Sequence, residues 1–346
     1  MDRRQFLAGV AAAGAGATGL GSARSAQAAG EVVIGLSNGY FGTEWRNQMV
    51  AGAQAQFDMY KAQGKASKLI VQQAGADINQ QIQDIRNMIL QGVSVITMDP
   101  NSGTALDGVI NEAKRAGIPV IAFDQAVKNH YALSVTIDHY VWATRYAEWI
   151  AKTLDGRGKV VIMDGLPGNP AAETRRKAAF DTFHKYPGID IVWSGYGMWD
   201  QAKAQAVMAT VIAAQPQIDG AFVEDSMGLG VLRAFQNARR PIPVMTGEAQ
   251  KAFLLAWKKE LESGTKMQAF AQPNPPDISR NAIGIAVRLA AGRKLKPQAD
   301  NTIYYPIHLE VTGSNLDQTL AGMKDKPDSY FLAEWFSEQQ LDALFT

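Results

Sequence analysis

Gly117-Ile118-Pro119-Val120-Ile121-Ala122-Phe123-Asp124 is the stretch that decides the fold class of this 346-residue chain. Its apolar residues form one short run, which is typical of a strand buried on both faces of a parallel sheet. The preceding segment carries Val109 and Ala113 at helical spacing, and the glycine ends that helix. The stretch therefore predicts a helix followed by a buried strand, with an aspartate at the carboxyl end of the strand.

The same unit recurs along the chain from Glu31 onward. Helical segments separate strand-like runs at residues 32–36, 68–71, 93–98, 118–124, 134–138, 159–164, 189–194, 220–224, 242–247, 267–272 and 302–305. Repeated strand–helix units imply parallel sheets covered on both faces. Because the length suits two domains, we predict an α/β protein with two successive doubly wound sheets.

The N-terminus has the pattern of an export signal. Arg3 and Arg4 precede a run rich in alanine and glycine, which ends in small residues with Ala28 at a cleavage position. The paired arginines indicate a twin-arginine signal over residues 1–28, with an ordinary secretory signal as the alternative. Either signal predicts a location outside the cytoplasm, and we expect the periplasm.

Charge and composition exclude several classes of protein. The chain has 34 basic and 33 acidic residues, and residues 1–28 contain three arginines and one aspartate, so the mature chain would carry a net charge of −1. Without a basic excess, nucleic acid is not an expected partner. Cysteine is absent, which excludes both disulfides and a lipid-anchored cysteine. After the signal, no apolar run reaches the roughly 18–20 residues needed to span a bilayer, so we expect no direct membrane insertion.

Acidic residues collect where the predicted strands end, at Asp99, Asp124, Asp138, Asp164, Glu224 with Asp225, and Glu248. Helix capping is the alternative role for each of them. In open α/β sheets, however, ligands bind outside the carboxyl ends of the strands. Such acids suit the hydroxyl groups of an uncharged polyhydroxy ligand. Trp45 and Trp199 could cover the apolar faces of that ligand, and core packing is the alternative role for both.

These residues resemble the periplasmic sugar-binding proteins of bacterial ABC importers, in the branch of the ribose-binding proteins. The resemblance covers nearly all of residues 31–310, and its most specific pieces are the stretch 117–124, residues 224–230, and residues 171–180. It implies the type I periplasmic binding fold, with two lobes joined by a hinge of three crossings near residues 136–138, 271–273 and 305–307. The N-terminal lobe would comprise residues 29–137 plus 273–305. The C-terminal lobe would comprise residues 138–272 plus 306–346, including an extended C-terminal tail.

The resemblance also implies a set of ligand-binding residues. They are Thr43, Trp45, Arg46, Asp99, Asp124, Gln125, Arg176, Trp199, Glu224, Asp225, Glu248 and Gln272. Arg46 replaces an aromatic residue of the ribose binders, and Gln125 replaces an arginine. Either Glu224 or Asp225 corresponds to the ligand-binding position of the family, and the sequence does not decide which of the two contacts the ligand. The departures favour another pentose, a hexose or a polyol over ribose.

The implied function is capture of a monosaccharide or polyol by hinge closure and its delivery to an ABC-transporter permease. We expect a monomer without cofactor or metal. A periplasmic sensor that presents its closed form to a signalling receptor is the alternative, and a secreted carbohydrate-active enzyme is a third interpretation. The chain has no G-x-S-x-G or P-loop motif and no metal-ligand spacing among its four histidines. The tail would pack on the second lobe, cover the cleft mouth or form an oligomer contact.

Overall fold

The computed structural model describes residues 31–346, and the predicted export signal lies outside them. In chain order the strands are β1 (Val33–Asn38), β2 (Lys68–Gln73), β3 (Val95–Asp99), β4 (Val120–Phe123), β5 (Leu133–Thr136), β6 (Arg157–Asp164), β7 (Gly188–Tyr196), β8 (Gly220–Val223), β9 (Val244–Glu248), β10 (Ala269–Gln272) and β11 (Thr302–Tyr304). The helices are α1 (Glu44–Ala62), α2 (Ile78–Leu90), α3 (Asp107–Arg115), α4 (His139–Thr153), α5 (Pro170–Phe183), α6 (Gln201–Ala214), α7 (Gly228–Asn237), α8 (Lys251–Glu262), α9 (Ile278–Ala290), α10 (Leu316–Gly322) and α11 (Glu338–Ala343).

Two parallel sheets organise these elements, which confirms the predicted fold class. The first sheet has the order β11-β5-β4-β3-β1-β2, and the second has the order β10-β9-β8-β6-β7. Strand β1 lies inside the first sheet, where Ile34 is paired with Leu69 on one side and with Val95 on the other. We call the first sheet and its helices the first lobe, and the second sheet and its helices the second lobe.

The chain passes between the lobes at three places before its tail. It leaves the first sheet after β5, returns between β10 and α9, and leaves again after β11. Helix α9 packs on α1 and on strands β3 and β4 of the first lobe, whereas α4 packs on α5, β8 and β9 of the second. The carboxyl ends of both sheets are thereby brought to the junction of the lobes. None of the helices in the described part of the chain is long and apolar enough to cross a membrane.

The C-terminal tail differs from the expectation that residues 306–346 belong to the second lobe. Val311 and Phe331 do form β-bridges with Ala271 and Gln250 of that lobe. Helix α11 instead packs on α9 of the first lobe, where Glu338 accepts a 3.0 Å hydrogen bond from the buried Arg288. Two sets of contacts hold α11 there: the Arg288 guanidinium pairs with Glu338 and Asp342, and Leu341 is buried in the core cluster that contains residues of α9.

Candidate functional site

A cavity lies between the carboxyl edges of the two sheets, at the junction of the lobes. Both lobes and the crossing after β10 contribute to its wall. The lining residues are Tyr40, Thr43, Trp45, Arg46, Asp124, Ala171, Arg175, Trp199, Asp225, Ser226 and Asn274.

The first turn of α1 forms one wall of the cavity. The Thr43 side chain caps this helix by accepting a hydrogen bond from the Arg46 backbone N–H at 3.3 Å. Trp45 is only 7% exposed, and its indole N–H donates to the Asn274 carbonyl at 2.7 Å. Because that N–H already has a partner, the indole offers the cavity an apolar surface rather than a donor.

Arg46 is held from behind by the end of β3. Its guanidinium forms an ion pair with the fully buried Asp99 and donates to Asn38 Oδ1 at 3.4 Å. Burial lowers the pKa of Arg46, and the charges of Asp124 and Asp225 oppose that shift. Asp99 therefore serves as the anchor of an arginine and does not line the cavity itself.

Asp124 follows β4 and has a left-handed backbone conformation, with φ of +63°. Such a conformation costs free energy in a residue other than glycine, although aspartate adopts it more readily than most residues. The carboxylate accepts a 3.2 Å hydrogen bond from Asn274 Nδ2. Burial raises its pKa, and the cations of Arg46 and Arg175 oppose this effect.

Arg175 dominates the opposite wall, which the second lobe supplies. Its Nη1 atom donates to Asp225 at 2.6 Å and lies 3.5 Å from Glu224, and its guanidinium lies 4.3 Å from the ring centroid of Trp142. Burial opposes the positive charge, but Asp225 and Glu224 outweigh burial and raise the pKa of Arg175. The guanidinium is therefore a permanently charged and firmly held donor group.

Trp199 and Asp225 also have left-handed backbone conformations, with φ of +52° and +44°. The Trp199 indole N–H donates to Glu224 Oε2 at 3.1 Å, and its carbonyl accepts a 2.8 Å bond from Ser226 Oγ. Burial raises the pKa of Glu224 well above its ordinary value. Together with Asp124, three residues of the cavity wall have this conformation, out of nine non-glycine residues with positive φ in the described part of the chain.

Three polar atoms at the cavity wall are buried and have no hydrogen-bond partner among residues 31–346. They are Nη2 of Arg175, Oδ1 of Asp225 and Oδ1 of Asn274. A buried polar group without a partner costs roughly 1–3 kcal/mol. The set comprises one donor and two acceptors, which match in type a ligand whose hydroxyl groups both accept and donate.

Six of the twelve residues proposed from the sequence line the cavity, namely Thr43, Trp45, Arg46, Asp124, Trp199 and Asp225. Glu224, like Asp99, lies behind the wall, where it contacts residues that do line the cavity. Glu248 is also buried behind the wall and accepts a 3.3 Å bond from the Asn274 backbone N–H. Burial raises its pKa well above the ordinary value.

Two further candidates lie at the junction of the lobes but outside the cavity lining. Gln125 accepts a 2.6 Å hydrogen bond from Asn169 of the second lobe and so links the lobes directly. Gln272 is buried at the end of β10, where its amide donates to the Trp142 carbonyl at 2.7 Å. The Gln125 contact joins the two lobes, whereas Gln272 and Trp142 both lie on elements of the second lobe.

Arg176 is placed away from the cavity, contrary to the sequence-based proposal. It pairs with Asp164 and donates to Ser194 Oγ at 2.9 Å. Successive residues of an α-helix point about 100° apart, so only one of two adjacent arginines can face the cavity. That residue is Arg175, which shares the buried face of α5 with Ala171 and Ala178.

Sequence reasoning also missed four other lining residues: Tyr40, Ala171, Ser226 and Asn274. The spacing of the alanines on α5 signals a buried arginine but does not separate Arg175 from Arg176, because each arginine has one alanine four residues before it and another three residues after it. Tyr40 and Asn274 lie in irregular segments, where periodicity gives no such signal.

Comparison with known proteins shows which family the chain is similar to. The family model described as "Periplasmic binding protein domain" matches residues 34–294. The ribose import binding protein of Bacillus subtilis (strain 168) is 26% identical over 254 residues, which cover 72% of this chain and 79% of that protein. The xylitol-binding protein of Mycolicibacterium smegmatis is 28% identical over 264 residues, with 75% of each chain covered.

A solved structure is similar over a larger share of the chain. The ABC transporter solute binding protein from Thermobispora bispora superposes with a TM-score of 0.81 at 27% identity, covering 90% of this chain and 94% of that one. The family match covers most of the described residues, and the lobes and their topology agree with it. The chain therefore belongs to the periplasmic binding protein family.

Proposed function

We propose that this protein captures a neutral monosaccharide or polyol between its lobes and delivers it to the permease of an ABC importer. The observation that carries the proposal is the set of unpartnered polar atoms on Arg175, Asp225 and Asn274 in a cavity bounded by two indole rings. A polyhydroxy ligand has hydroxyl groups that can both donate and accept, and it has C–H faces that indoles cover.

The charges at the cavity wall support a neutral ligand. Two arginines, Arg46 and Arg175, face two aspartates, Asp124 and Asp225, so the formal charges of the lining balance. A strongly anionic or cationic ligand would leave an uncompensated buried charge, which is costly in a region of low dielectric constant. The names of the ribose and xylitol binders among the relatives agree with this chemical class.

Capture would proceed by closure of the lobes around the hinge. Each lobe supplies part of the wall, so a ligand makes its complete set of contacts only when the lobes meet. Contacts such as that between Asn169 and Gln125 form across the lobes in the closed state. Binding then shifts the equilibrium towards closure by the free energy of these additional contacts. The closed lobes present a composite surface to a membrane permease.

The proposed location is the periplasm, reached through the export signal predicted over residues 1–28. Family membership supports this location. Delivery to a permease and the identity of the sugar are both parts of the proposal.

A thermal-shift screen of the purified protein tests the function. The protein is unfolded and refolded to remove carried-over ligand and then mixed with pentoses, hexoses, polyols, sugar acids, amino acids and nucleosides. We expect one sugar or polyol to raise the melting temperature in a saturable manner, because a ligand of the native state stabilises by mass action. A response confined to sugar acids, amino acids or nucleosides would contradict the proposal.

A further inference from the structure

We propose that His139 is a positioning residue that uses a neutral imidazole, protonated on Nε2, to hold Arg175 of the second lobe and the Asp124 turn of the first lobe. The inference rests on the proposed function in one respect, since it takes Arg175 and Asp124 as ligand contacts. The tautomer of His139 is a separate property, which can be measured without any ligand.

The imidazole lies between two fixed groups. Its Nδ1 atom is 3.2 Å from Nε of Arg175, and its Nε2 atom is 3.0 Å from the backbone carbonyl oxygen of Asp124. A guanidinium has only donors, so Nδ1 must be the acceptor and must lack a proton. A carbonyl oxygen only accepts, so Nε2 carries the proton and donates it to this oxygen. The two partners leave one tautomer that satisfies both bonds.

His139 is one of three groups that hold the Arg175 guanidinium in place. Nε of the arginine donates to His139, Nη1 donates to Asp225, and the guanidinium plane rests on Trp142. With these contacts made, Nη2 remains at the cavity wall without a partner in the described part of the chain. The imidazole therefore helps determine which nitrogen of the guanidinium is presented to a ligand.

The same imidazole supports the strained turn at Asp124. The carbonyl oxygen of this residue receives hydrogen bonds from both His139 Nε2 and Thr136 Oγ1, while its backbone has φ of +63°. His139 is the first residue of α4 and follows directly on the crossing after β5. It therefore joins a residue at the end of a first-lobe strand to a side chain on a second-lobe helix.

The surroundings favour the neutral imidazole. His139 is 9% exposed, and the charged groups that face it are the Arg175 guanidinium from α5 and, through its backbone, Asp124 after β4. Burial and then the Arg175 cation lower the pKa of His139 to about 3, against a smaller opposing effect of the bond to Asp124. A proton on Nδ1 would place two donors against each other.

Nuclear magnetic resonance of protein labelled with ¹⁵N-histidine tests the tautomer without reference to any ligand. The chain has four histidines, and the His139→Gln variant identifies the signals of this residue by their loss. We expect the Nε2–H tautomer, unchanged from pH 5 to pH 8. A proton on Nδ1, or titration with a midpoint near the ordinary value of about 6.5, would overturn the inference.

Matched substitutions then test the positioning role through affinity for the sugar or polyol identified in the thermal-shift screen. His139→Asn keeps an acceptor near the position of Nδ1, His139→Gln keeps a donor near the position of Nε2, and His139→Leu removes both. We expect His139→Leu to weaken binding by about 10-fold to 100-fold, the range for a lost hydrogen bond to a charged group. The Asn and Gln variants should each recover part of that loss. Wild-type affinity in the Leu variant, or no recovery in either amide variant, would contradict the role.

A double-mutant cycle with Arg175→Lys separates positioning from general packing. Lysine has no counterpart of Nε–H, so the bond to His139 is already absent in that background. His139→Gln removes the Nδ1 acceptor of that bond and keeps the donor to Asp124, so we expect it to change affinity less than about threefold there, whereas strictly additive losses would overturn the inference. If the wild-type protein binds no sugar or polyol, the proposed function fails, and the tautomer measurement still decides whether His139 is held as described.

Discussion

The two walls of the cavity use the same three residue types but assemble them differently. In the first lobe, Trp45 and Arg46 are neighbours on one helical turn, and Asp124 comes from a nearby strand end. In the second lobe, Arg175, Trp199 and Asp225 come from three separate segments, and the last two have left-handed backbone conformations. The first wall therefore takes two of its three residues from one helical turn, whereas the second takes each of its three from a different segment.

The two arginines differ in the same way as the walls that hold them. Burial lowers the pKa of Arg46, whereas the surrounding carboxylates raise that of Arg175. Arg175 therefore neutralises the charge of more carboxylates than Arg46 does. We infer that the second wall is more sensitive to substitution than the first.

Arg175→Ala should have the largest effect, and Arg176→Ala is its matched control on the same helix. Loss of Arg175 leaves Asp225 and Glu224 buried without their cation, which should lower the free energy of unfolding by about 3–5 kcal/mol and weaken ligand binding more than about 100-fold. Arg176 is partly exposed and pairs with Asp164 outside the cavity, so its loss should change affinity less than about threefold. Titration calorimetry and urea unfolding measure both quantities, and a larger loss of affinity in Arg176→Ala would contradict the placement.

Replacing each tryptophan with alanine compares the apolar surfaces of the two walls. Both variants should weaken binding by roughly 1–3 kcal/mol, because each indole covers part of the ligand. Trp45 is 7% exposed and belongs to the first-lobe core, so its loss should also lower the free energy of unfolding by about 3–5 kcal/mol. Trp199 is half-buried and should cost less stability. Phenylalanine at either position should retain more affinity than alanine, and near-wild-type affinity in both alanine variants would exclude the indoles as ligand contacts.

The arginine pair also shows how far the sequence could predict the site. The strand and helix order followed from periodicity, and the acids at strand ends followed from the rule for parallel sheets. Trp45 was found because the start of a helix after a strand is easily located, and Arg46 was implied by the family resemblance. Arg175 was missed in favour of Arg176, since the resemblance fixed the helix but not its rotation about its axis.

The positions of residues that depend on tertiary contacts could not be predicted from the sequence. Asn274 lies in an irregular crossing, and its orientation depends on Trp45, Glu248 and Asp124. The return of α11 to the first lobe depends on the burial of Leu341 and on the ion pairs of Arg288, which are contacts between segments distant in sequence that periodicity does not reveal.

A smaller effect is expected in the pH dependence of stability, from Asp164 of the second lobe. Burial raises the pKa of Asp164 from 3.8 to about 6, although Arg176 opposes the shift. Between about pH 4 and pH 6 the folded state therefore binds more protons than the unfolded state, so this group makes the free energy of unfolding fall as the pH rises. Relative to Asp164→Asn, the wild-type protein should lose about 1–3 kcal/mol across that window in urea titrations. A gain of stability over the same range would show that the Arg176 ion pair outweighs burial.

Removal of the Thr43 helix cap in the first wall should have the smallest effect on stability. Thr43→Ala removes the side-chain acceptor of the Arg46 backbone N–H and should lower the free energy of unfolding by about 0.5–2 kcal/mol. Thr43→Ser keeps the acceptor and serves as the control in the same urea titrations. Equal stability of the alanine and serine variants would show that the cap contributes little to the position of Trp45 and Arg46.

The central claim is that both walls close on one ligand, and a crystal structure of the protein saturated with the sugar or polyol from the thermal-shift screen tests it most directly. We expect the ligand to lie between the Trp45 and Trp199 rings, with hydroxyl groups bonded to Arg175 Nη2, Asp225 Oδ1 and Asn274 Oδ1. A ligand bound to one lobe alone, or at any site outside this cavity, would contradict the claim.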